Sequence, residues 1–434
     1  MRHIERWRAV AAAVAVGVAA AACGGGPSTS DGTITLLHGI TGPDEQAALQ
    51  AAIDAFEEET GNTVEVEVSP DFDTVIITRV TGGNPPDVAL YPQPGVLSRL
   101  ADRGDVVPLA DVGVDVDALE QELTEGSLDP ATFEDEVYGV VTKVNVKSLL
   151  WYAAAPLEDA GYEVPESLEE LVELTDALAE DLGDRRSAAP WCIGMESGGD
   201  TGWVATDWIE DLVLRLHGPD VYDAWVAGEL PFDSPEIREA FELLERIWFG
   251  EGQVVGGTTG ILLTPFLEAN DPMFEEEPRC FLHKQAGFIA GLFPEEAELG
   301  TDVAMTYFPA LEGADDRPVV FGGDTAAVHR DDPVAGEFVA FLVSEAGQEA
   351  WLSQDGAGAV SVREDVDTDL YPTEELVLQA EILQDAETAR FDASDEMPGE
   401  IGTGAFWTEV VAWLAGAQDL DQTLQRIDDR WPER

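Results

Sequence analysis

The sequence predicts an α/β protein whose sheet is mostly parallel and covered on both faces by helices. Short apolar runs of period two alternate with longer runs whose apolar residues recur at helical spacing, and turn residues separate the two kinds. The 434 residues are enough for two or three domains, or for two lobes sharing one chain. With 45% apolar and 25% charged residues the composition is globular, which excludes a disordered, collagen-like or polytopic membrane chain.

Residues 33–37 read as a short strand and residues 39–43 as a loop. From Asp44 the apolar positions Ala48, Leu49, Ala52, Ile53 and Phe56 recur at helical spacing, and Thr60-Gly61-Asn62 stops the helix. Val64, Val66 and Val68 alternate with acidic residues as in a second strand. The turn signal Gly82-Gly83-Asn84-Pro85-Pro86 precedes a third strand at 87–91. Beyond Pro108 helical spacing dominates, at 168–182, 207–216, 237–249, 333–353, 374–389 and 406–417. There is no internal repeat.

The charge balance is extreme: 88 Asp and Glu face 22 Lys and Arg, a formal net charge of -66, with only three lysines, Lys143, Lys147 and Lys284. Such a chain repels phosphate backbones and anionic headgroups, which excludes nucleic-acid binding and polybasic membrane attachment. Evenly spread carboxylates read as a solvated surface adapted to salty surroundings. The alternative is an acidic surface made for a cationic ligand.

Residues 1–22 combine arginines, an apolar stretch at 9–22 and small residues directly before Cys23, the pattern of a secretory signal with a lipoprotein-type cleavage site. The stretch is shorter than the roughly 20 residues a spanning helix needs. A lipid on Cys23 and a flexible tether at 23–31 would hold the folded body at the outer face of a membrane; a plain secreted protein is the alternative. Cys192 and Cys280 then remain, and an even pair in an exported protein reads as a disulfide, against the alternative of two buried thiols.

Several chemistries lack support. Residues 194–200 superficially resemble a serine-protease nucleophile loop, without a histidine in a suitable context. Asp365, Asp367 and Asp369 alternate as in a calcium loop, but Leu370 and Leu376 stand where Gly and Glu are needed. Phosphate-binding loops, dinucleotide fingerprints and zinc motifs are missing, so no metal and no cofactor is expected. Paired carboxylates for glycoside hydrolysis cannot be recognised among so many acids.

Ala55-Phe56-Glu57-Glu58-Glu59-Thr60-Gly61 with the valines after it, Thr81-Gly82-Gly83-Asn84-Pro85-Pro86-Asp87-Val88, and Leu149-Leu150-Trp151-Tyr152 with Leu157, Ala160-Gly161, Pro165 and the helix from Ser167 form three notable stretches. Together they resemble the extracellular solute-binding proteins of ABC importers, the family that includes maltose-binding protein. Tyr152-Ala153 and Leu168 depart from the usual pattern. Cys192, Thr201-Gly202-Trp203, Thr206-Asp207-Trp208, Cys280 and Gly322-Gly323-Asp324 resemble the α-glucoside-binding branch. The resemblance implies a two-lobed fold that closes on a ligand about a hinge, with 32–141 and 318–364 in the first lobe and 142–317 and 365–434 in the second. It also implies a monomer that hands a carbohydrate to two permease subunits and a cytoplasmic ATPase, with no bond made or broken. A secreted glycoside hydrolase, or the same fold binding a cationic osmolyte or polyamine, are the alternatives.

Candidate ligand residues lie in loops after strands, where an open α/β sheet presents its crevice. From the first lobe these are His38, Thr41, Asp44, Glu45, Tyr91 and Gln93, with Lys143 at the expected hinge and Asp324 as a hydroxyl acceptor. From the second they are Glu196, Thr201, Trp203 and Asp207, and Phe293 after the strand-like run 287–291. Phe406 and Trp407 correspond to a Phe-Trp pair that brings an aromatic to the sugar in maltose-binding proteins; the alternative there is a buried helix start.

Overall fold

The computed structural model describes residues 32–134, 136–183, 187–294, 296–354 and 356–431. The signal segment, Cys23 and the tether up to residue 31 lie outside the described residues. Among those described, no helix is long and apolar enough to cross a membrane.

In chain order the first strands are β1 (Thr33–His38), β2 (Thr63–Val68), β3 (Val88–Tyr91), β4 (Gly139–Val141) and β5 (Asn145–Val146). There follow β6 (Leu149–Tyr152), β7 (Leu282–Lys284), β8 (Ala304–Tyr307), β9 (Val319–Gly322), β10 (Thr325–Val328) and β11 (Ala389–Phe391). The helices that matter most are α1 (Pro43–Thr60), α2 (Phe72–Thr81), α3 (Leu168–Leu182), α4 (Trp203–His217), α5 (Pro235–Trp248), α6 (Glu374–Gln384) and α7 (Trp407–Leu414).

Two lobes are built on two sheets. The first sheet has the order β2-β1-β3-β10-β4 and the second β8-β6-β7, while a third small sheet, β11-β9-β5, lies where the chain passes between them. β1 runs parallel to β2 and β3, and β9 parallel to β11. The expectation of a mostly parallel sheet is therefore only half met. β10 returns from the other lobe and runs antiparallel to β3 and β4, and all pairs of the second sheet are antiparallel.

The first sheet is covered on both faces because its strands alternate. Ile34 and Leu36 of β1 pack with Leu49, Ile53 and Phe56 of α1, whereas Leu37 packs with Phe72 and Ile76 of α2 on the other side. Pro43 opens α1 with Asp44 and Glu45 in its first turn, where a fixed φ and negative charge suit a helix start. In the second lobe Trp191, Trp208, Trp248 and Phe308 are fully buried, and α4 contributes core residues on nearly all of its faces.

Several predicted spans are corrected. The span 333–353 is two helices, Pro333–Leu342 and Glu345–Leu352, divided at Ser344, whose hydroxyl accepts the Gly347 N–H at 3.2 Å and starts the second. α6 ends at Gln384, short of the predicted 389, and residues 389–391 form a strand of the third sheet instead. The strand-like run 287–291 is a 3₁₀ helix, Gly287–Leu292, with no adjacent strand among the described residues to pair with it. Cys192 and Cys280 form a disulfide with their Cα atoms 5.4 Å apart.

Candidate ligand-binding site

A cavity of about 750 Å³ lies between the lobes. The first lobe lines it with Thr41 and Gly42 just before α1, residues 43–45 in the first turn of α1, Pro92 and Gln93 after β3, Gly323 and Asp324 before β10, and Gly356 and Gly358. Strand direction explains the convergence. β1 and β3 end at this edge and antiparallel β10 starts there, its Thr325 in register with Tyr91.

The second lobe contributes an aromatic wall. Trp203 at the start of α4 stands edge-on to Phe266 with ring centres 5.2 Å apart, Phe288 lies 6.2 Å from Trp203, and Trp407 at the start of α7 completes the lining. Gly202 is what allows this approach. Its φ of 142° is one that side-chain-bearing residues avoid, and a Cβ there would overlap Trp407. The Trp407 indole N–H donates to Ser394 Oγ at 3.2 Å, and Ser394 donates to Asp392 at 2.9 Å, so a polar network sets the ring's position.

Two lysines organise the carboxylates. Lys143, buried, meets Glu45 at 3.0 Å and Asp324 at 3.4 Å. Burial pulls its pKa down, but Asp324 and Glu45 together raise it above the ordinary lysine value. Lys147 pairs with Asp392 and, at 3.0 Å, with Asp207. Burial works against its charge too, and the two aspartates win, pushing its pKa well up. Asp392 overcomes its own burial through Lys147 and is held at about 2, whereas burial of Asp207 prevails over Lys147 and pushes it up to about 7. Burial, with Asp392 next in weight, also raises Asp395 and Glu210 well above the usual carboxylate range.

Asp207, Glu210 and Asp392 bring carboxylate oxygens within 4.8 Å of one another. Lys147 already bonds two of the three, and Glu210 accepts the backbone N–H groups of Ala393 and Ser394 at 3.1 Å each. The trio is an ammonium-centred network, with Lys147 and Asp392 in the cavity wall and Asp207 and Glu210 behind it.

Of the candidates read from the sequence, Thr41, Asp44, Glu45, Gln93, Trp203, Asp324 and Trp407 line the cavity together. The others lie elsewhere. His38 is buried with Nδ1 accepting the Ile40 N–H at 3.2 Å, and burial lowers its pKa. Tyr91 is fully buried and shares a 2.7 Å hydrogen bond with His329. Lys143 and Asp207 sit one layer behind the lining. Thr201 shapes the preceding turn, accepting the Ser197 N–H at 3.0 Å and donating to the Gly198 carbonyl at 2.9 Å; the Glu196 carboxylate accepts the Gly198 N–H at 3.1 Å. Phe293 packs on Trp151 and Phe274 at 5.1 and 5.2 Å. Phe406 is the buried helix start, wedged among Trp225, Phe232 and Phe241, and supplies no plate to the cavity.

Sequence reasoning missed Asn145, Lys147, Asp200, Phe266, Phe288, Gln379, Asp392 and Asp395, which also line the cavity. Lys147 had a usable signal: the scarcity that singled out Lys143 applied equally to it. Phe266, Phe288 and Gln379 had none, since their segments show no pattern that separates a lining residue from a core one.

A two-lobed α/β chain with an aromatic and carboxylate cleft at its hinge defines a class of receptors that close on small molecules. Residues 41–349 match the bacterial extracellular solute-binding protein family, and the chain belongs to it. It is 38% identical over 398 residues to the alpha-glucosides-binding periplasmic protein AglE of Rhizobium meliloti, covering 90% of this chain and 85% of that one. It is 36% identical over 400 residues to the osmoprotective compounds-binding protein GgtB of a Synechocystis strain, covering 92% of each. Among solved structures a chitin oligosaccharide binding protein shares the fold with a TM-score of 0.73 at 17% identity, covering 92% of this chain and 97% of that one. These relatives are receptors, not enzymes, and the protein is the extracellular or periplasmic substrate-binding component of an ABC transporter.

Proposed function

We propose that this receptor captures an α-glucoside or disaccharide between its lobes and, anchored by a lipid on Cys23, delivers it to two permease subunits driven by a cytoplasmic ATPase. The lobes of this reading are 32–141 with 318–364 and 142–317 with 365–434. One observation carries the sugar assignment: Trp203, Phe266, Phe288 and Trp407 face one cleft whose other side bears Asp44, Glu45 and Asp324. A sugar offers apolar ring faces to aromatic plates and a rim of hydroxyls to carboxylates. Contacts made by both lobes favour the closed form, and that difference in affinity is what drives closure. The names of the two relatives, one for alpha-glucosides and one for osmoprotective compounds, are consistent with this cargo.

One observation favours a second reading. The lining holds Asp44, Glu45, Asp200, Asp324, Glu375, Asp392 and Asp395 but Lys147 as its one ammonium, so a cationic osmolyte would also be attracted. Tryptophan fluorescence of residues 31–434 at high salt, titrated with trehalose, maltose, sucrose, betaine and spermidine, separates them. Saturation by a sugar supports the carbohydrate reading, and a response to the cations alone supports the other. Mass spectrometry of the protein from membranes tests Cys23, where an unmodified mature N-terminus would contradict the anchor.

A further inference from the structure

Helix α6 turns Gln379 into the cavity wall, and its side chain carries an unusual debt of unmade bonds. The residue is fully buried, yet neither Oε1 nor Nε2 of its amide has a hydrogen-bond partner. Buried polar groups are nearly always paired, and leaving one unpaired destabilises the fold. Among the described residues one other side-chain amide, that of Asn270, has both atoms buried and unpartnered, and it does not line the cavity. Gln379 does, and so does Asn145, whose Oδ1 is likewise unpartnered.

Gly287 gives the amide its room. It opens the 3₁₀ helix Gly287–Leu292, lines the same cavity, and has ordinary backbone angles. A Cβ placed on it would overlap the amide group of Gln379, and the three nearest atoms all belong to that group. The absence of a side chain at 287 therefore serves the amide rather than a turn.

We infer that Gln379 is a ligand-binding residue of this cleft, its NH₂ donating to one hydroxyl of a sugar ring and its carbonyl accepting from the neighbouring hydroxyl. The inference rests on the carbohydrate reading above. The carboxylates of the lining, when ionised, can only accept hydrogen bonds, whereas an amide offers a donor and an acceptor side by side, matching a vicinal diol. A quaternary ammonium offers neither partner and the carboxylate of betaine can only accept, so betaine leaves the Gln379 carbonyl unpaired where a vicinal diol satisfies both halves of the amide. A site built around such an amide discriminates sharply against ligands that leave it unpaired.

The test compares the mature wild-type chain with Gln379→Leu and Gly287→Ala. Each is titrated calorimetrically with trehalose, maltose and sucrose, and each is melted without sugar. The sugar that wild type binds is expected to bind about tenfold more weakly, or worse, to both variants. In Gly287→Ala the amide is displaced but present, so loss there does not depend on deleting it. The sugar-free melting temperature of Gln379→Leu should equal or exceed that of wild type, because an unpaired buried amide has been removed. Unchanged sugar affinity in the variants overturns the role of Gln379 alone, and so does a sugar-free melting temperature that falls in Gln379→Leu. Silence of wild type toward all three sugars overturns the carbohydrate reading and the diol assignment with it.

Discussion

Lys147 and Asp392 form a buried ion pair that ties one hinge strand to another. Lys147 follows β5 and Asp392 follows β11, both strands pair with β9, and the same ammonium reaches Asp207 on α4 at 3.0 Å. The side chains of Lys147 and Asp392 are 11% and 1% exposed, so water does little to screen the pair. The hinge is thereby fixed to the lobe that carries the aromatic wall, and Ser394, two residues past Asp392, holds Trp407.

Lys147→Met should leave Asp392 buried and uncompensated. Removing one partner of a buried pair commonly costs about 3–5 kcal/mol. Urea unfolding is expected to show a loss of that order, and a variant as stable as wild type would contradict the assignment of Lys147 as the network's centre.

Trp203 and Phe406 should part company on truncation. Trp203→Ala removes a cavity plate and is expected to weaken sugar binding about tenfold or more while the chain stays folded. Phe406→Ala opens a hole in the second core and should cost about 3–5 kcal/mol of stability. Parallel titration and thermal melting check both, and equal affinity losses without a stability change in Phe406→Ala would return that residue to the site.

Stability should fall between pH 6.5 and 8. Burial pushes Asp207 up to about 7 against the pull of Lys147, and burial with the charges of Asp129 and Asp223 pushes Glu396 up to about 8. Unfolded carboxylates titrate near 4. Between those values the folded state holds protons that the unfolded state has released, so stability is lost as pH rises, by up to about 1.4 kcal/mol per unit for each group. His283 and His329, lowered to about 4 mainly by burial, act in the opposite sense below about 6.5 and drop out above it. Unfolding free energies at constant salt should therefore decline over that interval, with a shallower slope in Glu396→Gln; a rise would contradict the burial of these acids.

The disulfide should matter to the second lobe. It joins residues 88 apart in sequence, and Cys192 also bonds its backbone to Leu282 and to His283, at 2.8 Å each. Replacing both cysteines by serine is expected to cost about 2–5 kcal/mol. Denaturant unfolding under non-reducing conditions measures it, and identical midpoints would show the bridge to be dispensable.

The sequence was most legible where one pattern had one structural meaning. The alternation of β1 to β3 and the apolar stripe of α1 announced the first sheet, and strand ends then pointed to Thr41, Asp44, Glu45 and Gln93. It was least legible where burial and exposure look alike in one dimension. Phe406 and Trp407 are neighbours in sequence, yet one is core and the other lines the cleft, because the helix start rotates them onto different faces. Gln379 occupies an ordinary position of an amphipathic helix, and only the fold shows that its amide is unpaired. β10 reads like any short strand; its reversed direction comes from the chain's return across the hinge, which no local pattern encodes.

The most direct test is calorimetric titration of residues 31–434 at high salt with trehalose, maltose and sucrose, set against betaine and spermidine. Saturable one-to-one binding of a sugar, micromolar or tighter and without turnover, is the predicted result. Heat from a cation with silence toward all three sugars would contradict the account, leaving the family intact and reassigning the aromatic wall of Trp203, Phe266, Phe288 and Trp407 to a cationic guest.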